Sequence, residues 1–265
     1  MDAPREPTQD MRAEFERRRP AGCAAAEWQL RCELAAAYRL FAQLGWHELI
    51  YNHLTVRVPD SEHYLINPFG LMYREITASR LVKIDLEGNK VEPSPWPVNP
   101  AGFIVHGAVH AAREDAHCVM HTHTTAGQVV SCQREGLLAL SFNSMFYAGR
   151  VAYHDFEGIT LDRTECQRLA EHLGTRNVMI LRNHGLLVCG PSIGDAFAEH
   201  YMLQRACEVQ VAAQASGATL VQPAREIAER AGEQYERTAR QGDQNTLLWN
   251  AMLRWAWDID PGFAA

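Results

Sequence analysis

The chain has 265 residues, of which 47% are apolar, and a formal net charge of −7. These values exclude a disordered or fibrous class. The acidic balance also argues against nucleic-acid binding, because phosphate contacts need clustered Lys and Arg and the one basic run, Arg17-Arg18-Arg19, sits beside Glu14 and Glu16.

No apolar run approaches the ~20 residues that a membrane span needs. The first 20 residues hold no apolar stretch of the secretory kind. A cytoplasmic protein without membrane contact is expected. Seven cysteines, odd in number and scattered without a Cys-x-x-Cys pair, read as reduced thiols rather than a disulfide framework.

In chain order, residues 1–26 are charged and Pro-containing and are expected as a flexible tail. Over 27–44, Trp28, Leu34, Tyr38, Phe41 and Leu44 recur at three- and four-residue spacing, which predicts an amphipathic helix. Alternating, β-branched residues at 51–58 predict a strand, and 63–67 and 81–86 predict two more. Glu87-Gly88-Asn89 turns the third strand back on itself, and a Pro-rich loop follows at 93–100.

Pro100 suits the first turn of a helix over 101–114, which carries His106 and His110 one turn apart. Then come a strand at 118–123 and a short helix at 125–133. Short strands and turns are expected from 137 to 159. A helix at 163–173, strands at 178–181 and 186–190, and helices at 193–216, 224–240 and 246–257 complete the chain.

The strand Cys118-Val119-Met120-His121-Thr122-His123 carries the chemistry. Side chains alternate across a strand, so His121 and His123 share one face. Two neutral imidazoles on one face make half of a site for a Zn-, Fe- or Mn-type ion. His184 supplies a third at the end of an apolar strand, before Gly185. Three imidazoles and an open position suit a catalytic site better than a closed structural one.

Three segments together resemble the class II aldolase/adducin family: Val119-Met120-His121-Thr122-His123, Leu181-Arg182-Asn183-His184-Gly185, and the helix Ala206-Cys207-Glu208-Val209-Gln210. The resemblance runs from about residue 28 to 218. It implies a three-layer αβα sandwich around a central mixed, largely antiparallel sheet, over a domain at 27–222 with a C-terminal helical extension at 223–265. It also implies one divalent ion (Zn, Fe or Mn) on His121, His123 and His184, and a homotetramer with sites at subunit interfaces.

The departures from the family pattern narrow the expected activity. Sugar-phosphate aldolases of this family carry a Ser-Ser-Glu element whose Glu is the general acid/base. Its positions fall here on Pro100, Ala101 and Gly102. The Gly-Asn and Thr-Pro-x-Gly phosphate elements become Tyr51-Asn52 and Asn67-Pro68-Phe69-Gly70. Asn52, Asn67, Gly70 and Gly102 are the expected substrate-binding positions. His106, four residues after Gly102 and on its face of the helix, is the expected catalytic stand-in for the carboxylate; Tyr147, Tyr153 and His154 are weaker candidates.

The resemblance therefore implies a metal-dependent lyase acting by retro-aldol cleavage or decarboxylation on a small unphosphorylated carbonyl or carboxylate compound. The alternatives are a non-haem Fe(II) oxygenase of an aromatic acid and a non-catalytic, adducin-like assembly module. Leu248, Trp249, Met252 and Trp255 near the C-terminus form an apolar stripe, expected to dock on a neighbouring subunit.

Overall fold

A computed structural model describes residues 7–158, 163–241 and 243–265. The elements in order are α1 (Pro7–Arg17), α2 (Ala25–Leu44), β1 (His53–Arg57), β2 (Tyr64–Ile66), β3 (Val82–Ile84), α3 (Pro100–Ala112), β4 (Cys118–Thr122), α4 (Thr125–Ser131), α5 (Phe142–Met145), β5 (Val151–His154), α6 (Arg163–Leu173), β6 (Val178–Leu181), β7 (Gly185–Gly190), α7 (Ile193–Ala215), α8 (Arg225–Gln241) and α9 (Gln244–Ile259).

The seven strands form one sheet in the order β3-β2-β1-β4-β7-β6-β5. Among the described strands, only β5 and β6 run parallel. This is the mixed, largely antiparallel sheet that the family resemblance implies. β4 is central, paired with β1 on one side and β7 on the other, and all five of its residues are buried. A strand covered on both faces reads as a continuous apolar run, as Cys118-Val119-Met120 does.

Period-two alternation divides β4 between two cores. Cys118 and Met120 join Leu54 and Val56 under α2 and α7. Val119 joins Leu187 and Met179 under α3 and α6. His121 follows Val119 onto the α3 side, and Thr122 faces α7, where its hydroxyl lies 3.0 Å from His200 Nε2. Ser192 opens α7 by accepting from the Asp195 N–H at 3.1 Å, and Thr124 opens α4 by accepting from Gly127 at 3.2 Å. The chain is thus turned sharply just past His123.

Three sequence expectations change. Residues 1–26, expected as a flexible tail, contain α1, whose Met11 and Phe15 are buried against α2 and α9. Its arginines pair one helical turn back, Arg18 with Glu14 and Arg19 with Glu16, so the basic run lies at a helix end. Within 137–159, expected as strands and turns, the short helix α5 precedes β5; residue 159 lies outside the described residues.

The third change concerns residues 223–265. Their described residues hold the helices α8 and α9, but α9 is part of the main core rather than an extension. Trp249 and Leu253 are buried beside α2 and α7, and Trp249 Nε1 donates to Glu33 at 3.0 Å. The apolar stripe packs on its own chain because α2 and α7 leave a groove beside Gly194, whose backbone lies against the Trp249 ring. The last turn, Pro261–Ala264, then buries Phe263.

Candidate metal centre

Two strand ends and one hairpin turn bring the imidazoles together. β4 delivers His121, and His123 follows one residue beyond its end. His184 stands in the turn between β6 and β7, which bond antiparallel down to Leu181 and Gly185. That turn needs Gly185: a Cβ there would lie 2.2 Å from the Thr122 carbonyl oxygen, so a side chain would push β7 off β4. Ring centroids of His121, His123 and His184 lie 4.6, 4.8 and 4.7 Å apart, an almost equilateral triangle. One ligand nitrogen from each falls within 4.8 Å of the others.

Hydrogen bonds decide which nitrogen each ring offers. His121 Nδ1 lies 2.9 Å from the Leu186 carbonyl oxygen, which can only accept, so the proton is on Nδ1. Burial, reinforced by His184 and His123, holds the His121 pKa well below its ordinary value, so the ring is neutral and Nε2 carries a lone pair. His123 Nδ1 bonds the Glu48 carboxylate at 2.6 Å. With Nδ1 turned to that carboxylate, His123 points its Nε2 inward.

The two Nε2 atoms face each other across 2.8 Å. Two facing lone pairs need a cation or a proton between them. The donor set therefore fits a divalent ion, and Glu48 makes the carboxylate–histidine arrangement that orients a metal ligand. For His184, burial and its histidine neighbours lower the pKa to about 4, so it too is neutral at pH 7.

The triangle floors a cavity of about 430 Å³. Tyr51 and Phe69, with ring centroids 6.3 Å apart, and Phe156 supply apolar wall. Asn52 lines it at φ 67°, and its side chain is buried with neither amide atom bonded among the described residues. Buried polar atoms without protein partners are uncommon, and this amide is free to bond a group that occupies the cavity. No Lys or Arg lines this cavity among the described residues.

The expected substrate positions divide. Asn52 and Gly102 line the cavity, whereas Asn67 and Gly70 do not. Asn67 Oδ1 instead accepts from Tyr38 at 2.9 Å, tying β2 to α2. His106, the expected catalytic stand-in, is a further correction. It is fully buried behind His53, bonded at 2.9 Å to His53 Nδ1, and does not reach the cavity.

His53 occupies the space beside Gly102. A Cβ at Gly102 would meet His53 Cδ2 at 2.4 Å and Nε2 at 2.6 Å. Sequence reasoning missed His53 because nothing local says that β1 pairs with β4, yet the register sets His53 directly across from His121. The usable signal was that His53 and Thr55 share one strand face and His106 and His110 share one helix face. Glu48 carried no signal, since it precedes β1 in an irregular loop where Leu49 takes φ 51°. Tyr147 and Tyr153 spend their hydroxyls on the Glu199 carbonyl and the Leu137 N–H, and His154 Nδ1 lies 2.9 Å from His172 Nδ1.

Residues 32–211 match the Class II Aldolase and Adducin N-terminal domain. The chain belongs to this family. A Pseudomonas aeruginosa protein that carries a provisional class 2 aldolase name is 49% identical over 92% of this chain and 95% of its own. Mouse alpha-adducin is 50% identical over 71% of this chain, which spans only 26% of that protein.

Two solved structures share the fold. An aldolase II superfamily protein from Pseudomonas syringae aligns with a TM-score of 0.87 at 45% identity, covering 92% of this chain and 98% of that one. The more distant L-fuculose 1-phosphate aldolase from Glaciozyma antarctica aligns at 0.76 and 28%, covering 93% and 96%. As a class II aldolase/adducin family member, the chain combines the three-histidine triangle with a glycine at position 102 and a buried imidazole filling the space that glycine leaves.

Proposed function

We propose that this protein is a divalent-metal-dependent lyase that cleaves a carbon–carbon bond, by retro-aldol reaction or decarboxylation, in an unphosphorylated carbonyl or carboxylate compound. The observation that carries this reading is the imidazole triangle opening into a cavity without a described Lys or Arg. His121, His123 and His184 would hold one Zn, Fe or Mn ion, which when bound supplies Lewis-acid polarisation of a carbonyl oxygen.

The chain's own residues do the remainder. Glu48 holds His123 by its Nδ1–H and makes it a better donor. The buried Asn52 amide offers its N–H donors to a substrate oxygen and its carbonyl oxygen to a substrate hydroxyl. Tyr51, Phe69 and Phe156 shield the reacting end from water. A phosphate would find no charged partner among the described lining residues, which disfavours the sugar-phosphate substrate named for the Glaciozyma structure. A homotetramer in the cytoplasm is the proposed working form.

The half-identity to mouse alpha-adducin favours a second reading, a non-catalytic assembly module. Metal analysis of protein purified without added metal separates the two. Stoichiometric Zn or Mn, lost in His184→Ala while the protein stays folded, with anaerobic turnover of hydroxy-carbonyl or carboxylate compounds, supports the lyase. Absence of bound metal supports the module. Iron with O₂ consumption overturns the lyase in favour of an oxygenase.

A further inference from the structure

Behind the cavity wall lies an unbroken file of hydrogen bonds that the lyase reading leaves unused. His53 Nδ1 meets His106 Nε2 at 2.9 Å, and His106 Nδ1 meets Thr55 Oγ1 at 2.7 Å. The same hydroxyl meets His110 Nε2 at 2.7 Å, and His110 Nδ1 ends the file 2.8 Å from the Ala116 carbonyl oxygen. Three imidazoles and one hydroxyl thus run in single file from the cavity to a backbone acceptor. All four residues are buried, His106 and Thr55 completely.

The far end fixes the direction of every bond. A carbonyl oxygen has no proton to give, so His110 carries its proton on Nδ1. Burial holds the pKa of His110 down to about 3 and that of His106 well below its ordinary value, so both rings are neutral with a single N–H. His110 Nε2 therefore accepts from the Thr55 hydroxyl. Thr55 Oγ1 in turn accepts from His106 Nδ1–H, and His106 Nε2 accepts from His53 Nδ1–H. Only one arrangement satisfies every link. Reversing any link leaves two lone pairs or two protons facing each other in the interior, a buried polar clash that folding does not tolerate.

We propose that this file locks His53 as its Nδ1–H tautomer, so that the Nε2 lone pair faces the cavity as the acceptor for a substrate hydroxyl. His53 is then a catalytic residue in contact with substrate, while His106, Thr55 and His110 are positioning residues. The assignment of His53 to substrate rests on the reading that the cavity takes a metal-chelating compound; the tautomer itself does not. Among the described residues nothing bonds His53 Nε2, and the ring sits between Gly102 and the triangle, 5.5 Å by centroid from His121.

The chemistry narrows the substrate class. A neutral acceptor selects a hydrogen-bearing group and gains nothing from a bare ketone oxygen. With Asn52 alongside, the site fits an α- or β-hydroxy carbonyl compound or hydroxy acid whose carbonyl end lies toward the triangle. The hydroxyl then meets Nε2 of His53 on the Gly102 side.

Long-range ¹H–¹⁵N correlation spectra of the full-length chain, metal-free and at neutral pH, read the proton position on each ring. We expect His53, His106 and His110 all neutral and protonated at Nδ1. Thr55→Val should break the single His53 tautomer, and Thr55→Ser should keep it. A wild-type His53 protonated at Nε2, or a Thr55→Val spectrum unchanged at His53, overturns the file; the wild-type spectrum decides this even if the variant does not fold. In the Zn-loaded protein, hydroxyacetone should shift the His53 Nε2 resonance and acetone should not. Equal response to both, or to neither, overturns the substrate assignment. The metal-free spectrum needs neither metal nor turnover, so the tautomer it reads stands or falls independently of the lyase reading.

Discussion

Gly102→Ala is the sharpest perturbation of this site, because one methyl tests whether His53 is held where the structure puts it. The new Cβ would fall 2.4 Å from His53 Cδ2 and 2.6 Å from Nε2, well inside contact distance. A free imidazole would swing away at little cost. This one is buried and bonded to His106, so moving it strands His106 Nε2 in the interior. Overpacking costs about 1–3 kcal/mol, and the broken hydrogen bond about 1 kcal/mol.

Alanine in a helix returns roughly 1 kcal/mol relative to glycine. The steric and polar losses win. The net destabilisation is about 1–3 kcal/mol, which lowers Tm by roughly 2–10 °C in a chain of this size. The assay is urea unfolding of wild type, Gly102→Ala, His53→Ala and the double variant. Once His53 is truncated the methyl has room, so the two changes should couple by about 1 kcal/mol or more. Additivity within about 0.5 kcal/mol would refute the packing of His53 against Gly102.

Acid should destabilise the fold through its buried imidazoles. Burial pushes His110 and His200 down to about 3, so below pH ~6.5 the unfolded chain binds protons that the native chain refuses. Their stabilising contribution is complete above that pH and falls by about 1.4 kcal/mol per pH unit per group toward pH 3; equal urea midpoints at pH 7 and pH 5 would contradict this. Trp249→Ala should cost about 3–5 kcal/mol, because the ring packs on Phe197 and Gly194. Deleting residues 241–265 should abolish cooperative unfolding, and a truncated chain with a native melt would refute the intramolecular role of α9. L-Fuculose 1-phosphate should not be cleaved at a useful rate, and efficient turnover would show that phosphate binding does not need a cationic wall here.

The local pieces were legible in the residues alone. Period-two alternation put His121 and His123 on one face. Apolar spacing marked α2, and the strand-terminal His184 completed the three candidate donors. The local motif resemblance carried the sheet type as well, because short segments such as Leu181-Arg182-Asn183-His184-Gly185 hold the hairpin that makes the site.

Register and distant packing set the rest. His53 is a site residue only because β1 pairs antiparallel with β4 in the register that sets it opposite His121. A shift of one residue would turn its imidazole to the other core. His106 shares a helix face with Gly102, as its spacing says, yet the ring of His53 stands between it and the cavity. The apolar stripe of α9 had a partner in its own chain because α2 and α7 leave a groove that no single segment reveals. Periodicity tells which side of an element is apolar, whereas the identity of the surface that covers it is fixed only when segments far apart in sequence have packed.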